Sequence, residues 1–263
     1  MRTRCGALVG MVVIAAMLSA CATSTTAPRE SQRAPELVVG VTSDSPPYAT
    51  QRGGDISGLE VDLAQEVGRV LHRSVRVVDL SWDDLISGLS NGRVDVVMAG
   101  VTVTPERQLR FAFTEPYLRT RIVALVRRTD RKRLGSPDAI CKGAWNIGVM
   151  AGTTGELYVR DRCPSATVKA YPSATAAVQE LQTRRVDAVV HDGPVLAWLQ
   201  APQSADLDLV PTRIADEQLA WMVRRDEPQL VQTLNGALAT MRSDGSLDRI
   251  LRQWVPQIER VRS

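Results

Sequence analysis

The sequence predicts an α/β protein of two similar lobes with largely parallel sheets, and three observations carry that prediction. Short apolar runs of strand length alternate with segments of helical period from Glu36 to about Leu209, the pattern of parallel strands joined by crossover helices. One strand occurs twice: Arg93-Val94-Asp95-Val96-Val97-Met98-Ala99-Gly100 is echoed by Arg185-Val186-Asp187-Ala188-Val189-Val190-His191-Asp192, each behind a helical segment. Buried strands share apolar positions by default, but not the same Arg-Val-Asp entry, so the echo indicates one such strand per lobe. Finally, 228 residues run from Glu36 to the end, enough for two modest lobes.

Ahead of the lobes, Arg2 and Arg4 precede an apolar run from about Ala7 to Leu18, closed by Leu18-Ser19-Ala20-Cys21. The run is too short for a comfortable membrane span and reads as a secretory leader over residues 1–20. Its closing tetrapeptide resembles the bacterial lipobox, in which cleavage precedes the cysteine and a diacylglyceryl group is attached to the sulfur of Cys21. The alternative is an ordinary secretory leader. Residues 21–35 lack apolar side chains to pack and read as a flexible tether, so the expected location is a membrane surface outside the cytoplasm.

The elements then follow in order. Leu37–Val41 is a buried-type strand. After a turn-rich stretch, Leu59, Leu63, Val67, Val70 and Leu71 fall on one helical face. Val75–Leu80 returns as a strand, Trp82–Leu89 as a helix and Val94–Met98 as a strand. Thr104-Pro105 starts a further helix, with threonine as N-cap and proline in its first turn. Arg107 then stands in that first turn, where a cation opposes the helix dipole at a cost of ~0.3–1 kcal/mol. Trp145–Met150 is a strand, Ala151-Gly152 a turn, and Thr153-x-x-Glu156 a capping box. Two helices close the chain, about 228–241 and 246–255, with Leu230, Leu234, Leu238 and Met241 inward.

The charge balance excludes polyanion binding. The formal net charge of +3 falls to +1 once the two leader arginines are discounted, too little for nucleic acid or a polybasic membrane contact. Neither a Walker loop nor a dinucleotide glycine fingerprint occurs. Cys141 and Cys163 remain after Cys5 and Cys21 are set aside, an even pair that an oxidising compartment would join. With His72 and His191 they offer no ligand-spaced metal cluster, and no cofactor is expected.

The candidate binding residues sit at predicted strand ends, where open α/β sheets place ligands. Arg107, the amides from Gly152 to Thr154 and the hydroxyls of Thr102 and Thr154 are suited to a carboxylate. Asp192 is the acidic group that would hold an ammonium. A zwitterion carries both charges.

Eight stretches occur in order along the chain: SDSPPY (43–48), GLEVDLAQEVGRVL (58–71), SWDDLISGL (81–89), GRVDVVMAGVTVTPER (92–107), FAFTEPYL (111–118), GVMAGTTGELY (148–158), RVDAVVHDGPV (185–195) and SDGSLDRILRQWV (243–255). By these motifs the chain, from Leu37 to about Val255, resembles the amino-acid-binding, family 3 solute-binding proteins of bacterial ABC importers. The resemblance implies a two-lobed periplasmic-binding-protein-like (type II) fold, each lobe a mixed, mostly parallel sheet flanked by helices, with the ligand cleft between. It implies that Arg107 and Thr154 clamp a ligand α-carboxylate, that Asp192 takes the α-amino group, that Ala99, Gly100 and Thr102 line the pocket, and that Trp82 walls it. It places the first lobe at 36–120 plus 218–263, the second at 121–217 with both Cys141 and Cys163, and the hinge near 118–123 and 212–219.

Two positions depart from the family pattern. Ser45 replaces an aromatic ring, and Thr42 stands where binders of polar or basic ligands often carry aspartate, leaving Asp44 as the carboxylate nearby if the chain stays extended. Polar or acidic amino acids are therefore slightly favoured over basic ones. The implied partners are an amino acid, an ABC permease with its ATPase, and the membrane through the lipid, with the protein a monomer. Two rivals are a ligand sensor reporting to a signalling partner and a cyclohexadienyl-dehydratase-like enzyme, for which Glu115 and Asp44 are the spare carboxylates. His191, beside Asp192, reads as solvent-facing.

Overall fold

The apolar runs assemble into two mixed sheets and a small third one. The computed structural model describes residues 36–210 and 214–256. The leader, Cys21 and the tether lie outside the described residues, as does Thr212. In the first sheet the strand order is Val75–Asp79, Leu37–Val41, Val96–Val97, Met222–Arg224, Phe111–Phe113. The first three are parallel, and Met222–Arg224 is antiparallel to both neighbours. In the second the order is Thr167–Tyr171, Asn146–Met150, Ala188–Asp192, Leu118–Arg127, Leu207–Leu209, with Ala215–Leu219 also on the long strand. Again the first three are parallel, while every partner of Leu118–Arg127 is antiparallel to it.

The repeated Arg-Val-Asp entry has a physical reason. The Asp95 amide donates to the Val38 carbonyl, and the Asp95 carboxylate accepts from the Val38 amide at 2.9 Å. Asp187 does the same to Asn146, its carboxylate accepting from the Asn146 amide at 3.0 Å. Each aspartate thus satisfies the first free N–H of the parallel strand beside it, which no ladder bond reaches. The first of the two strands is Val96–Val97, shorter than the expected Val94–Met98.

Helices cover both faces of each sheet. On Leu59–Leu71 the apolar stripe is buried as its period requires, with Leu59, Leu63, Ala64 and Val67 inaccessible. The closing helices, Pro228–Ser243 and Ser246–Trp254, bury Leu234, Leu238, Met241, Ile250 and Leu251 in the same cluster, and Leu230 is half-buried at its edge. Trp82–Ser90, capped by the Ser81 hydroxyl accepting from the Asp84 amide, packs Leu85 and Leu89 on the other face against Val94, Val97 and Met222. In the second lobe Pro137–Lys142 and Thr154–Arg162 take one face, Ala174–Gln182 and Gly193–Gln200 the other. Val195 and Ala174 join the first lobe's core, and the Trp198 and Trp254 rings lie 6.1 Å apart, so the lobes share an apolar contact.

Cys141 and Cys163 are bonded, 22 residues apart in sequence, tying the Pro137–Lys142 helix to the end of Thr154–Arg162. Closing a loop of that length contributes about 3 kcal/mol through the unfolded chain. The double substitution Cys141→Ala, Cys163→Ala should lower Tm by roughly 6–12 °C in differential scanning calorimetry. A shift within error would mean the bridge adds nothing to stability.

Candidate functional site

The parallel strands of both sheets end at one cleft. Ser45, Trp82, Ala99, Gly100, Thr102 and Arg107 line it from the first lobe, and Met150, Thr153, Thr154, His191 and Asp192 from the second. Ala99-Gly100 and His191-Asp192, the ends of the two echoed strands, face each other across it.

Arg107 reaches the cleft because its helix is a single turn. Pro105–Gln108 starts at Thr104, whose hydroxyl accepts from the Arg107 amide at 3.3 Å. The side chain then turns inward instead of along the helix axis. Its guanidinium donates to the Thr102 carbonyl at 2.9 Å and to the Gly152 carbonyl of the opposite lobe at 3.3 Å, and it lies 5.4 Å over the Trp82 ring. Burial lowers its pKa, though Asp192 and Glu217 act against that shift, and it stays a cation. Trp82 also donates to the Gly152 carbonyl at 3.3 Å.

Three expected contacts differ. Gly152 presents its carbonyl to the cleft, because its amide donates to Glu156 at 2.7 Å while the Thr153 hydroxyl caps the Glu156 amide. The Thr102 and Thr154 hydroxyls both donate to one oxygen of Glu217, at 2.9 and 2.5 Å, and are not held out for a ligand carboxylate. Asp44 is exposed and outside the lining, which Ser45 enters in its place. The chain does not stay extended after Val41: Ser43 donates its amide and hydroxyl to Asp79 at 2.9 and 2.6 Å, and the turn there resets the alternation of faces. The other spare carboxylate, Glu115, pairs with Arg242 at 2.6 Å.

Beside the ammonium candidate Asp192, His191 is buried, not solvent-facing. Its Nδ1 accepts from the Asp192 amide at 2.7 Å and its Nε2 has no partner. Burial pushes its pKa down to about 4, so it is a neutral ring at physiological pH. Asp192 itself is raised to about 6, chiefly by burial, with Glu217, Arg107 and Tyr48 opposing the rise.

Two carboxyls behind the cleft were not legible as site residues. Glu60 is fully buried and accepts from the Gly100 amide at 2.7 Å, the Tyr117 hydroxyl at 2.5 Å and the Trp221 indole at 3.2 Å. Gly100 has φ +65°, and a Cβ there would stand 2.4 Å from the Tyr48 ring. Glu60 therefore fixes a backbone turn that only glycine can make at this spacing. Its signal was its place on the apolar stripe with Leu63, Ala64 and Val67. Glu217 carried a similar one: it shares a strand face with buried Leu219, as Asp216 and Gln218 alternate outward.

These acids set the pH response of the ligand-free protein. Burial raises Glu60 from 4.5 to about 7, Glu217 from 4.5 to about 8 and Asp192 from 3.8 to about 6. Each folded pKa exceeds the unfolded one, so that contribution is present at low pH and lost as pH rises through the folded value. His191, lowered from 6.5 to about 4, acts oppositely, but only below pH 6.5. Between pH 6.5 and 8 only the acids remain, and stability should fall by about 1–2 kcal/mol from Glu217 alone. Urea melts at the two pH values read it; equal or greater stability at pH 8 would contradict the burial of these groups.

A two-lobed α/β fold with one cation and one carboxylate facing each other across its cleft defines a solute-binding protein. Residues 37–257 match the model of the bacterial extracellular solute-binding proteins, family 3, and the chain belongs to that family. It is 30% identical over 231 residues to ABC transporter arginine-binding protein 1 of Escherichia coli strain K12, covering 85% of this chain and 92% of that one. It is similar to the crystal structure of the ancestral amino acid-binding protein AncCDT-1, a precursor of cyclohexadienyl dehydratase, with a TM-score of 0.79 and 30% identity over 84% of this chain and 95% of that one. A putative ABC-transporter binding component from Wolinella succinogenes DSM 1740, complexed with lysine, gives a TM-score of 0.79 and 29% identity over the same shares. Among the described residues no helix is long and apolar enough to cross a membrane.

Proposed function

We propose that this protein captures a single α-amino acid between its lobes and delivers it to an ABC importer, without catalysing a reaction. The observation that carries this reading is Arg107 and Asp192 on opposite walls of one cleft. The ligand carboxylate would pair with the Arg107 guanidinium and the first-turn amides of the Thr154–Arg162 helix. The ammonium would pair with Asp192. Each attraction gains strength as closing lobes exclude water.

Side-chain preference follows from what lines the remaining wall. Ser45, Met150, Trp82 and neutral His191 suit a polar side chain, and Asp44, which could have held a second cation, points elsewhere. Lobe boundaries near residues 120 and 218 are proposed at the start of Leu118–Arg127 and the end of Ala215–Leu219, where the chain passes between the first sheet and these paired strands of the second, with the hinge in those two strands. Anchorage by a lipid on Cys21 belongs to the same proposal.

A thermal-shift screen of the purified protein, stripped of co-purified ligand, against the twenty amino acids and prephenate tests the function. A ligand at 100 times its Kd adds about 2.7 kcal/mol of stability, which moves Tm visibly. No shift with any amino acid sinks the reading. Turnover of prephenate would favour the enzyme rival.

A further inference from the structure

We infer that Glu217 is a neutral carboxylic acid that ties both lobes together and holds Asp192 in place for the ligand ammonium, making it a positioning residue of the cleft. This rests on reading the cleft as an amino-acid site.

The hydrogen bonds around Glu217 lead there. One oxygen, Oε1, accepts from the Thr102 hydroxyl of the first lobe at 2.9 Å and from the Thr154 hydroxyl of the second at 2.5 Å. A single atom on the Ala215–Leu219 strand therefore bridges the two walls of the cleft. The other oxygen, Oε2, is buried and no donor reaches it. The Asp192 carboxyl is the neighbouring acid of Glu217, near enough to share a hydrogen bond with it. Two acceptors cannot satisfy each other, and an ionised oxygen buried without a donor is costly. A proton on Oε2 resolves both problems, because the acid then donates to Asp192 while Oε1 keeps its two hydroxyls.

Charge counting agrees. The titratable and charged groups around Glu217 are Asp192 and His191 at the end of Ala188–Asp192, Arg107 from its one-turn helix, and Tyr48 ahead of Ala49–Arg52. His191 is neutral and its Nδ1 is engaged by the Asp192 amide. Arg107 is held by the Thr102 and Gly152 carbonyls and leaves one positive charge, which Asp192 balances. A second anion would stand uncompensated, and a zwitterionic ligand, bringing one charge of each sign, does not change the count. Burial and the neighbouring Asp192 raise Glu217 to about 8, in the same direction.

Glutamine reproduces the inferred acid atom for atom: its oxygen accepts from both threonines and its NH2 donates to Asp192. The test is titration of wild type, Glu217→Gln and Glu217→Ala with L-glutamine, L-arginine and L-lysine, with infrared spectra and urea melts recorded without ligand. Expected for whichever amino acid binds are affinity in Glu217→Gln within about threefold of wild type and a loss of roughly tenfold or more in Glu217→Ala, through faster dissociation. The difference spectrum of wild type against Glu217→Gln at pH 7 should show one protonated carboxyl lost, and the fall in stability between pH 6.5 and 8 should flatten. A folded Glu217→Gln that binds more than roughly tenfold worse would overturn the inference, since an ionised carboxylate would then be holding the ammonium directly. So would a difference spectrum with no protonated carboxyl. If wild type binds none of the three, the spectrum and the pH profile, which need no ligand, still decide the state of Glu217, separately from the fate of the transport reading.

Discussion

Arg107→Ala should abolish binding of every α-amino acid while leaving the melting temperature almost unchanged. The guanidinium is the only cationic side chain lining the cleft among the described residues, so removing it leaves a ligand carboxylate desolvated against carbonyls and an indole. Losing one partner of such a pair costs about 3–5 kcal/mol, a factor on the order of 10²–10⁴ in Kd. The fold should tolerate the change because Arg107 serves no core: its partners are the Thr102 and Gly152 carbonyls, and the charge is itself held against a burial cost. Calorimetric titration of the variant with the ligand found in the screen gives the answer. Binding within tenfold of wild type would mean that the carboxylate is held elsewhere.

Glu60→Ala should have the opposite profile, with a large loss of stability and only then a loss of binding. It strands three donors at once, the Gly100 amide, the Tyr117 hydroxyl and the Trp221 indole. A stranded buried donor costs about 1–3 kcal/mol, and relief of the buried acid offsets part of the sum, leaving roughly 3–5 kcal/mol. For a domain of this size that is a fall in Tm of about 10 °C or more. Glu60→Gln should cost less, since an amide oxygen still serves two of the three donors. If Glu60→Ala melted like wild type, the hydrogen bonds that hold Gly100 in its turn would not matter to the fold.

The two predictions mark the boundary between what a linear reading finds and what it does not. Arg107 was legible because it stands out locally, a cation in a capped first turn where the dipole disfavours it. Asp192 was legible through the echo, since the matched strands fix where a polar group meets the cleft. Glu60 and Glu217 break no local rule, because an acid early in a helix or on a strand is ordinary. Asp44 and His191 were misplaced for a related reason: one turn at Ser43 changes which residue faces inward, and burial of a strand end depends on what packs over it.

The sequence by itself determined the order of strands and helices, the two-lobe plan, the Cys141–Cys163 pair and part of the cleft lining, Arg107, Gly100 and Asp192 among it, because period, caps and repeats act over a few residues. Only the tertiary structure decided where each polar atom finds its partner. Thr102, Thr154, Glu217 and Asp192 come from four segments far apart in the chain, and whether a hydroxyl waits for a ligand or is already held by an acid depends on distances that no local pattern encodes.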